Sequence, residues 1–249
     1  MDLIFYNGEH SVTFGVANSW ANWHLIPTQK PVIAPPSIKV KQVEIPGAHG
    51  ILDLTSTLTG YPMYNNRTGS LNFILAPGFE SWETAKTRIM QYLYGRQMNL
   101  YLTDDPEYYY TGRMTVSDLK SDARSNGLTI DYDLYPFKHK IMLSDDDWMW
   151  DPFNFETGVI QSWKSLVVDG ELRVGIEDCM DMSRALISTD SAMTLVHTYF
   201  LATGEEKHVT YEYENAVTND AGPLLRPGVN LLDFSGNGTV GIRYRGATL

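Results

Sequence analysis

The chain has 249 residues, 43% of them hydrophobic and 20% charged, which is enough apolar surface for two modest globular domains. Its 30 acidic residues outnumber its 19 Lys and Arg residues, giving a formal net charge of −11. Because a protein that grips phosphate backbones needs concentrated basic residues, this balance argues against nucleic-acid binding as the primary role.

The cysteine count and the absence of targeting segments exclude further classes of protein. Cys179 is the single cysteine, so the chain can form neither an intrachain disulfide nor a thiolate metal site. Its acidic neighbours Asp178 and Asp181 are expected to raise the pKa of its thiol. The first residues lack the basic and apolar stretches of a signal peptide, and no apolar run reaches the ~20 residues of a membrane span. We therefore expect synthesis in a reducing cytoplasm and no membrane insertion.

Alternating hydrophobic and polar residues predict strands along most of the chain. The alternation occurs in six places, at 12–16, 71–75, 128–134, 172–176, 209–213 and 240–244. Strands of this kind bury one face, as in antiparallel sandwiches. Asn-Gly pairs at 126–127 and 237–238 tolerate the positive φ of a type I′ turn, so we expect tight turns there.

One helix is expected among the strands. Ser81 is a suitable N-cap and Gly95 a suitable stop, which predicts a helix from Trp82 to about Tyr94. Four apolar residues recur along it at helical spacing and predict a buried stripe: Trp82, Ala85, Ile89 and Leu93.

A change of composition near residues 138–155 predicts a domain boundary. This stretch contains an acidic run at 145–147 and closely spaced tryptophans, without a clean hydrophobic period. We place an N-terminal domain of strands and one helix at 1–142 and a nearly all-β C-terminal domain at 143–249. The fold class is therefore mainly β.

The usual motifs of enzymes and metal sites are missing from the sequence. The six histidines form no closely spaced pair, and the acidic run at 145–147 lacks the spacing of a calcium loop. No nucleophile elbow or phosphate-binding loop occurs. We expect no catalytic, metal or cofactor site. A glycan-degrading carboxylate pair is a weaker alternative, since sequence does not measure the distance between acids.

Two groups of aromatic residues are candidate binding sites. Tyr108, Tyr109 and Tyr110 follow a predicted turn, and they fit either core packing or, together with Arg113, an interface with a neighbouring subunit. Three tryptophans could form a platform for a cell-wall saccharide, although packing in a core or between domains is favoured over that role. They are Trp148, Trp150 and Trp163.

The order of several short motifs is more specific than any one of them. An RTG strand at 67–75 is followed by the predicted helix, by DDPEYYYTGR at 104–113 and by PFK at 136–138; a PLLRPGVN segment follows at 223–230. This order resembles the distal tail protein (Dit) family of siphophages, over about two-thirds of the chain.

The resemblance implies a fold, an assembly and a location. It implies an N-terminal β-sandwich with one helix and an extended β-hairpin, and a galectin-like C-terminal β-sandwich. The N-terminal domains of such proteins close into a homohexameric ring at the virion tail tip. The implied partners are the major tail protein of the tail tube, the tape-measure protein and a tail-associated hub or fibre protein. DNA would pass through the lumen without specific binding. A carbohydrate-binding module in the C-terminal domain is the alternative function.

Overall fold

The structure, a computed structural model, describes residues 8–78, 81–121, 126–146 and 163–249. By internal contacts the chain groups into two compact units. Unit one comprises the chain up to Lys39, Tyr64–Lys138 and Leu249, and unit two comprises Val40–Met63 and His139–Thr248. We predicted a boundary after residue 142, whereas the chain passes into unit two after Lys138 and also contributes the earlier segment to it.

Strands dominate the chain. In chain order the elements are β1 (Val12–Phe14), β2 (Ala17–Asn18), β3 (Leu25–Pro27), β4 (Gln42–Glu44), β5 (Ile51–Asp53), β6 (Arg67–Leu75), α1 (Trp82–Leu93), β7 (Gln97–Leu102), β8 (Tyr108–Ser121), β9 (Asn126–Leu134), β10 (Lys138–Lys140), β11 (Leu166–Ile176), β12 (Ser183–Thr189), β13 (Met193–Phe200), β14 (Glu206–Tyr213), β15 (Val217–Leu225), β16 (Asn230–Arg243) and β17 (Ala247–Thr248). The prediction of a mainly β fold with one helix is confirmed for the described residues. Within these ranges no helix combines the length and the apolar character needed to cross a membrane.

Seven strands of unit one form an antiparallel sheet in the order β2-β1-β7-β8-β9-β6-β3. Its long central strands are held in register by β9, where Leu134 lies opposite both Arg67 of β6 and Gly112 of β8. Alternate residues of β9 are buried, as its period of two predicts. They join β1, β6, β7 and the helix in one apolar core.

Helix α1 begins and ends where its local sequence predicts. The Ser81 hydroxyl accepts a hydrogen bond from the backbone N–H of Thr84, which satisfies one of the free donors of the first turn. The helix ends at Tyr94 in a left-handed conformation, followed by Gly95 at φ 64°. The predicted apolar stripe is confirmed: Ala85, Ile89 and Leu93 are fully buried and Trp82 packs beside them.

Unit two contains a second antiparallel sheet, ordered β14-β13-β16-β12-β15, with β11 paired to β16 along its whole length. Strand β16 is its centre, and its inward residues belong to a separate core. Cys179 lies fully buried in that core. Burial raises the pKa of its thiol, and Asp178 and Asp181 add smaller contributions, so the direction is as predicted although burial is the main cause.

Three local expectations from the sequence are wrong. Val16 was expected to share the buried face of β1, but the chain turns at Gly15 and leaves the Val16 side chain 89% exposed. Asn126-Gly127 was expected to form the turn of a hairpin between 114–119 and 128–134; the hairpin is confirmed as β8 and β9, but Asn126 pairs with Ser121 and opens β9. The Gly-Asn-Gly run at 236–238 was also interpreted as a turn, whereas it lies inside β16 and pairs with β11.

Candidate assembly surface

The tyrosine triplet makes contacts within unit one. Tyr110 is 7% exposed and lies in the core, beneath the guanidinium of Arg67 at 5.5 Å from its ring centre. Tyr108 is half-buried, with the Lys138 ammonium 4.3 Å from its ring centre, and the half-buried Tyr109 packs against Tyr101. Core packing therefore accounts for Tyr110, while a contact between subunits through Tyr108 and Tyr109 stays a prediction.

Arg113 is the fourth residue predicted at a subunit interface, and its side chain reaches the end of α1. It is exposed on β8, and its Nη1 donates a hydrogen bond of 2.8 Å to the carbonyl of Gly95 at the end of α1. The structure therefore places the Arg113 guanidinium beside the helix terminus, on the same strand as the tyrosines.

The tryptophans predicted to contact saccharide are only partly described. Trp148 and Trp150 lie outside the described residues. Trp163 is half-buried, packs against the core of unit two and lies edge-on to Tyr244, with ring centres 6.5 Å apart. An indole held this way has much of its surface covered, so its contacts favour packing over sugar binding.

Arg67 explains why several motifs of unit one occur together. Its side chain is 4% exposed and donates hydrogen bonds to the carbonyls of Pro136 at 2.6 Å and Ala34 at 3.1 Å. The RTG strand is thereby connected to the PFK segment, and the stacking on Tyr110 adds the DDPEYYY segment. Burial lowers the pKa of the Arg67 guanidinium below its ordinary value.

Lys138 makes a second connection between the same motifs. Its ammonium donates a 2.6 Å hydrogen bond to the Asp105 carboxylate and covers the Tyr108 ring. Both side chains of the ion pair are mostly shielded from solvent, with 20% and 27% of their surfaces exposed. The acidic turn and the closing PFK segment are therefore joined by charge as well as by packing.

Asn230 organises the C-terminal PGVN segment. Its Oδ1 accepts from the N–H of Arg226 at 2.8 Å, and its Nδ2 donates to the carbonyls of Arg226 and Gly228. These bonds fix the amide orientation, so the neighbouring His197 Nε2 must donate to Oδ1, at 3.0 Å. The asparagine is fully buried and closes the turn that leads into β16.

His197 should make the stability of unit two dependent on pH. Burial, opposed by its bond to Asn230, holds the pKa of this histidine below its ordinary value of 6.5. Below about pH 6.5 the unfolded chain therefore takes up a proton that the folded chain resists, so stability falls until the folded pKa is passed. We expect His197→Gln to make the fall in urea midpoint between pH 7.5 and 5.5 shallower. An unchanged slope would contradict this account.

The segment between β3 and β6 contains a two-stranded hairpin with exposed apolar side chains. Strands β4 and β5 pair only with each other, with Val43 opposite Leu52, and all six of their residues are exposed. Because side chains alternate along a strand, Val43 and Leu52 share one face, which Ile45 continues just beyond β4. Gln42, Glu44, Ile51 and Asp53 lie on the other face. We call residues 42–53 the arm hairpin.

The arm hairpin was missed by the sequence analysis, although its sequence carries a signal. Val43 and Ile45 alternate with polar residues, and Pro46-Gly47 is a typical turn pair, with Gly47 at φ 84°. A two-stranded hairpin alone is marginally stable in water. The exposed side chains on its apolar face, 38% for Val43, 45% for Ile45 and 47% for Leu52, therefore mark a surface suited to a partner.

The chain resembles a known protein in its three-dimensional structure. No protein-family model matches the chain, and no curated protein matches it by sequence. A solved structure that it resembles is that of the SPP1 Dit (gp 19.1) protein, described as a paradigm of the hub adsorption apparatus in phages infecting Gram-positive bacteria. The match has a TM-score of 0.52 and 11% identity, and it covers 96% of this chain and 99% of the other. The resemblance seen in the sequence is thus confirmed in the fold: over nearly its whole length, this chain has the fold of a Dit protein.

Proposed function

We propose that the chain is a structural protein of a phage tail tip, a distal tail protein whose copies close into a hexameric ring. The observation that carries the proposal is the shared fold, which extends over 96% of this chain and 99% of the SPP1 Dit chain. The match includes both units, so it extends beyond one common β domain. The motif order found in the sequence supports it independently.

The residues of those motifs stabilise the fold through hydrogen bonds within the chain. Arg67 and Lys138 connect segments that are distant in the sequence, through hydrogen bonds to carbonyls and to a carboxylate. Asn230 closes a local turn and accepts a hydrogen bond from His197 of β13. Among the described residues, no group of three or more His, Cys, Asp or Glu is placed to hold a metal ion. The geometry supports a role in assembly, and we assign no catalytic step to the chain.

In this proposal the ring joins the tail tube and tape-measure protein to a hub or fibre protein that contacts the host. The part of unit two from His139 onward, proposed as the galectin-like domain, lies outside the ring in this proposal. The net charge of −11 suits a ring through which DNA passes, because acidic surfaces repel phosphates and do not retain them. The arm hairpin supplies a contact between neighbouring copies, since its apolar face needs a cover that pairing within the chain does not provide.

Absolute mass in solution tests the ring. Six copies of a 28.1 kDa chain should give a particle of about 170 kDa by light scattering, with six-fold views in negative-stain images. A chain that stays at 28.1 kDa and fails to bind purified tail tubes would contradict the proposal.

Polar substitution of the arm hairpin should separate assembly from folding. We expect Val43→Ser combined with Leu52→Ser to reduce the mass from that of the ring toward that of one chain, because the apolar face is lost. The unfolding midpoint should hardly move, since both side chains are exposed in the single chain. The matched control is Gln42→Ser with Glu44→Ser on the opposite face, which should leave the ring intact.

A further inference from the structure

A second exposed apolar surface lies where α1 ends in unit one. Tyr94 is 83% exposed and Met90, one helical turn earlier on the same face, is 43% exposed. The β1–β2 turn lies beside this helix end, because the N–H of Val16 donates to the Tyr92 hydroxyl at 3.1 Å. Val16 is itself 89% exposed. Three large apolar side chains therefore stand in solvent near one helix terminus.

The backbone at this helix terminus adopts a strained conformation. Tyr94 has φ 31° and ψ 38°, a left-handed conformation that bulky residues avoid and that glycine adopts freely. The residue that normally ends a helix in this conformation is present one position later, as Gly95. A tyrosine kept in a disfavoured conformation with its ring in solvent points to a use outside the single chain.

Two arginines give this surface a positive charge. Arg96 and Arg113 are both exposed, and Arg113 is fixed beside the helix end by its bond to the Gly95 carbonyl. The carboxylate opposite Arg113 in the sheet, Asp133, accepts from the Asn66 amide. Within the ranges that the structure describes, neither arginine is ion-paired.

We propose that this surface, the helix-end patch, docks onto an acidic face of a second copy of the chain; the inference rests on the ring proposed above and assigns one of its contacts. The patch consists of Val16, Met90, Tyr94, Arg96 and Arg113. Tyr, Met and Arg are the residue types enriched at the centres of protein interfaces, where Tyr and Arg contribute most of the binding energy.

The acidic charge of the chain indicates that a second copy is the partner of the helix-end patch. The chain carries 30 acidic residues, and leaving out the two patch arginines reduces its 19 basic residues to 17, so the remaining surface is strongly acidic. Any second copy therefore offers a surface complementary to the patch. Two patches cannot face each other, because their arginines would repel. The contact is therefore between different surfaces, and such contacts generate closed rings or open filaments and not isolated two-fold dimers.

The sharpest test is Tyr94→Gly. The proposal predicts that this change weakens assembly without lowering the stability of the single chain. Glycine relieves the left-handed strain, so the urea midpoint of the dissociated chain should rise or stay unchanged. Loss of the exposed ring should raise the dissociation constant measured by sedimentation equilibrium at least ~10-fold.

Arg96→Glu should weaken assembly similarly and reduce its dependence on salt. The matched control is Val167→Thr, at a 73% exposed position of unit two, which should change neither quantity.

The outcomes separate this contact from the ring itself. A wild-type ring that Tyr94→Gly and Arg96→Glu leave intact overturns the helix-end patch while the ring stands. The same holds if these variants assemble normally and only fail to join tails, since the patch would then serve another tail protein. A wild-type chain that remains single at every concentration and fails to bind purified tail tubes, or that stops at two copies, overturns both.

Discussion

Replacing Gly112 with alanine should destabilise unit one by about 3 kcal/mol, because a methyl group at that position has no space. A Cβ there would lie 2.2 Å from the carbonyl oxygen of Asp133 and 2.6 Å from the Cα of Leu134. Both atoms belong to the backbone of β9, so the neighbouring strand must move as a whole. The glycine therefore permits the close approach of β8 to β9 at the centre of the sheet.

Urea unfolding monitored by tryptophan fluorescence measures this loss. The matched control is Gly175→Ala in β11, where the nearest atom to an added Cβ is a Leu231 methyl at an ordinary 3.9 Å. Alanine in that strand should change stability by less than about 1 kcal/mol. If Gly112→Ala unfolds at the wild-type urea concentration, the spacing of β8 and β9 is not what requires glycine.

The second large effect is expected at Arg67. Arg67→Ala removes two charge-assisted hydrogen bonds, leaves the carbonyls of Pro136 and Ala34 without their donor and empties the space above Tyr110. Since a hydrogen bond to a charged group contributes ~1.5–3 kcal/mol, we expect a loss of about 3 kcal/mol. Arg67→Lys keeps the charge and at most part of the bonding, so its loss should be intermediate.

The same unfolding experiment tests Arg67, with an exposed arginine as control. Arg173 pairs with Asp233 on the surface of unit two, and a solvated pair of this kind contributes little to stability, so Arg173→Ala should leave the urea midpoint unchanged. If Arg67→Ala and Arg173→Ala lower the free energy of unfolding equally, the buried bonds of Arg67 contribute no more to stability than a surface ion pair.

Local signals in the sequence predicted what depends on local chemistry. Helix α1 was predictable because its cap, its apolar spacing and its glycine stop all lie within 15 residues of one another, Ser81 to Gly95. The Asn-Gly turns were wrong for the opposite reason. At Gly236–Gly238 pairing with β11, and at Gly127 pairing with Ile74 of β6, outweighs the turn preference of the dipeptide.

The roles of the motif residues depend on contacts that the sequence does not reveal. Arg67 meets Pro136, 69 positions later, and Gly112 is required by the backbone of β9. The predicted tyrosine site divides in the structure, since Tyr110 is buried and Arg113 belongs to the helix end. Tyr94 was named only as the approximate end of a helix, and its left-handed backbone and exposure are visible only in three dimensions.

The way the arm hairpin is attached has a consequence for how such a chain can evolve. Ile38 and Tyr64 form a bridge, and Asn65 donates to the Ser37 carbonyl at 2.8 Å, so the segment between them leaves and returns at one point. Lengthening a segment whose ends are already joined adds only a slowly growing loop-closure entropy. The arm hairpin can therefore gain, lose or exchange residues while the sheet of unit one stays the same, so the specificity of the proposed assembly contact can change without refolding that sheet.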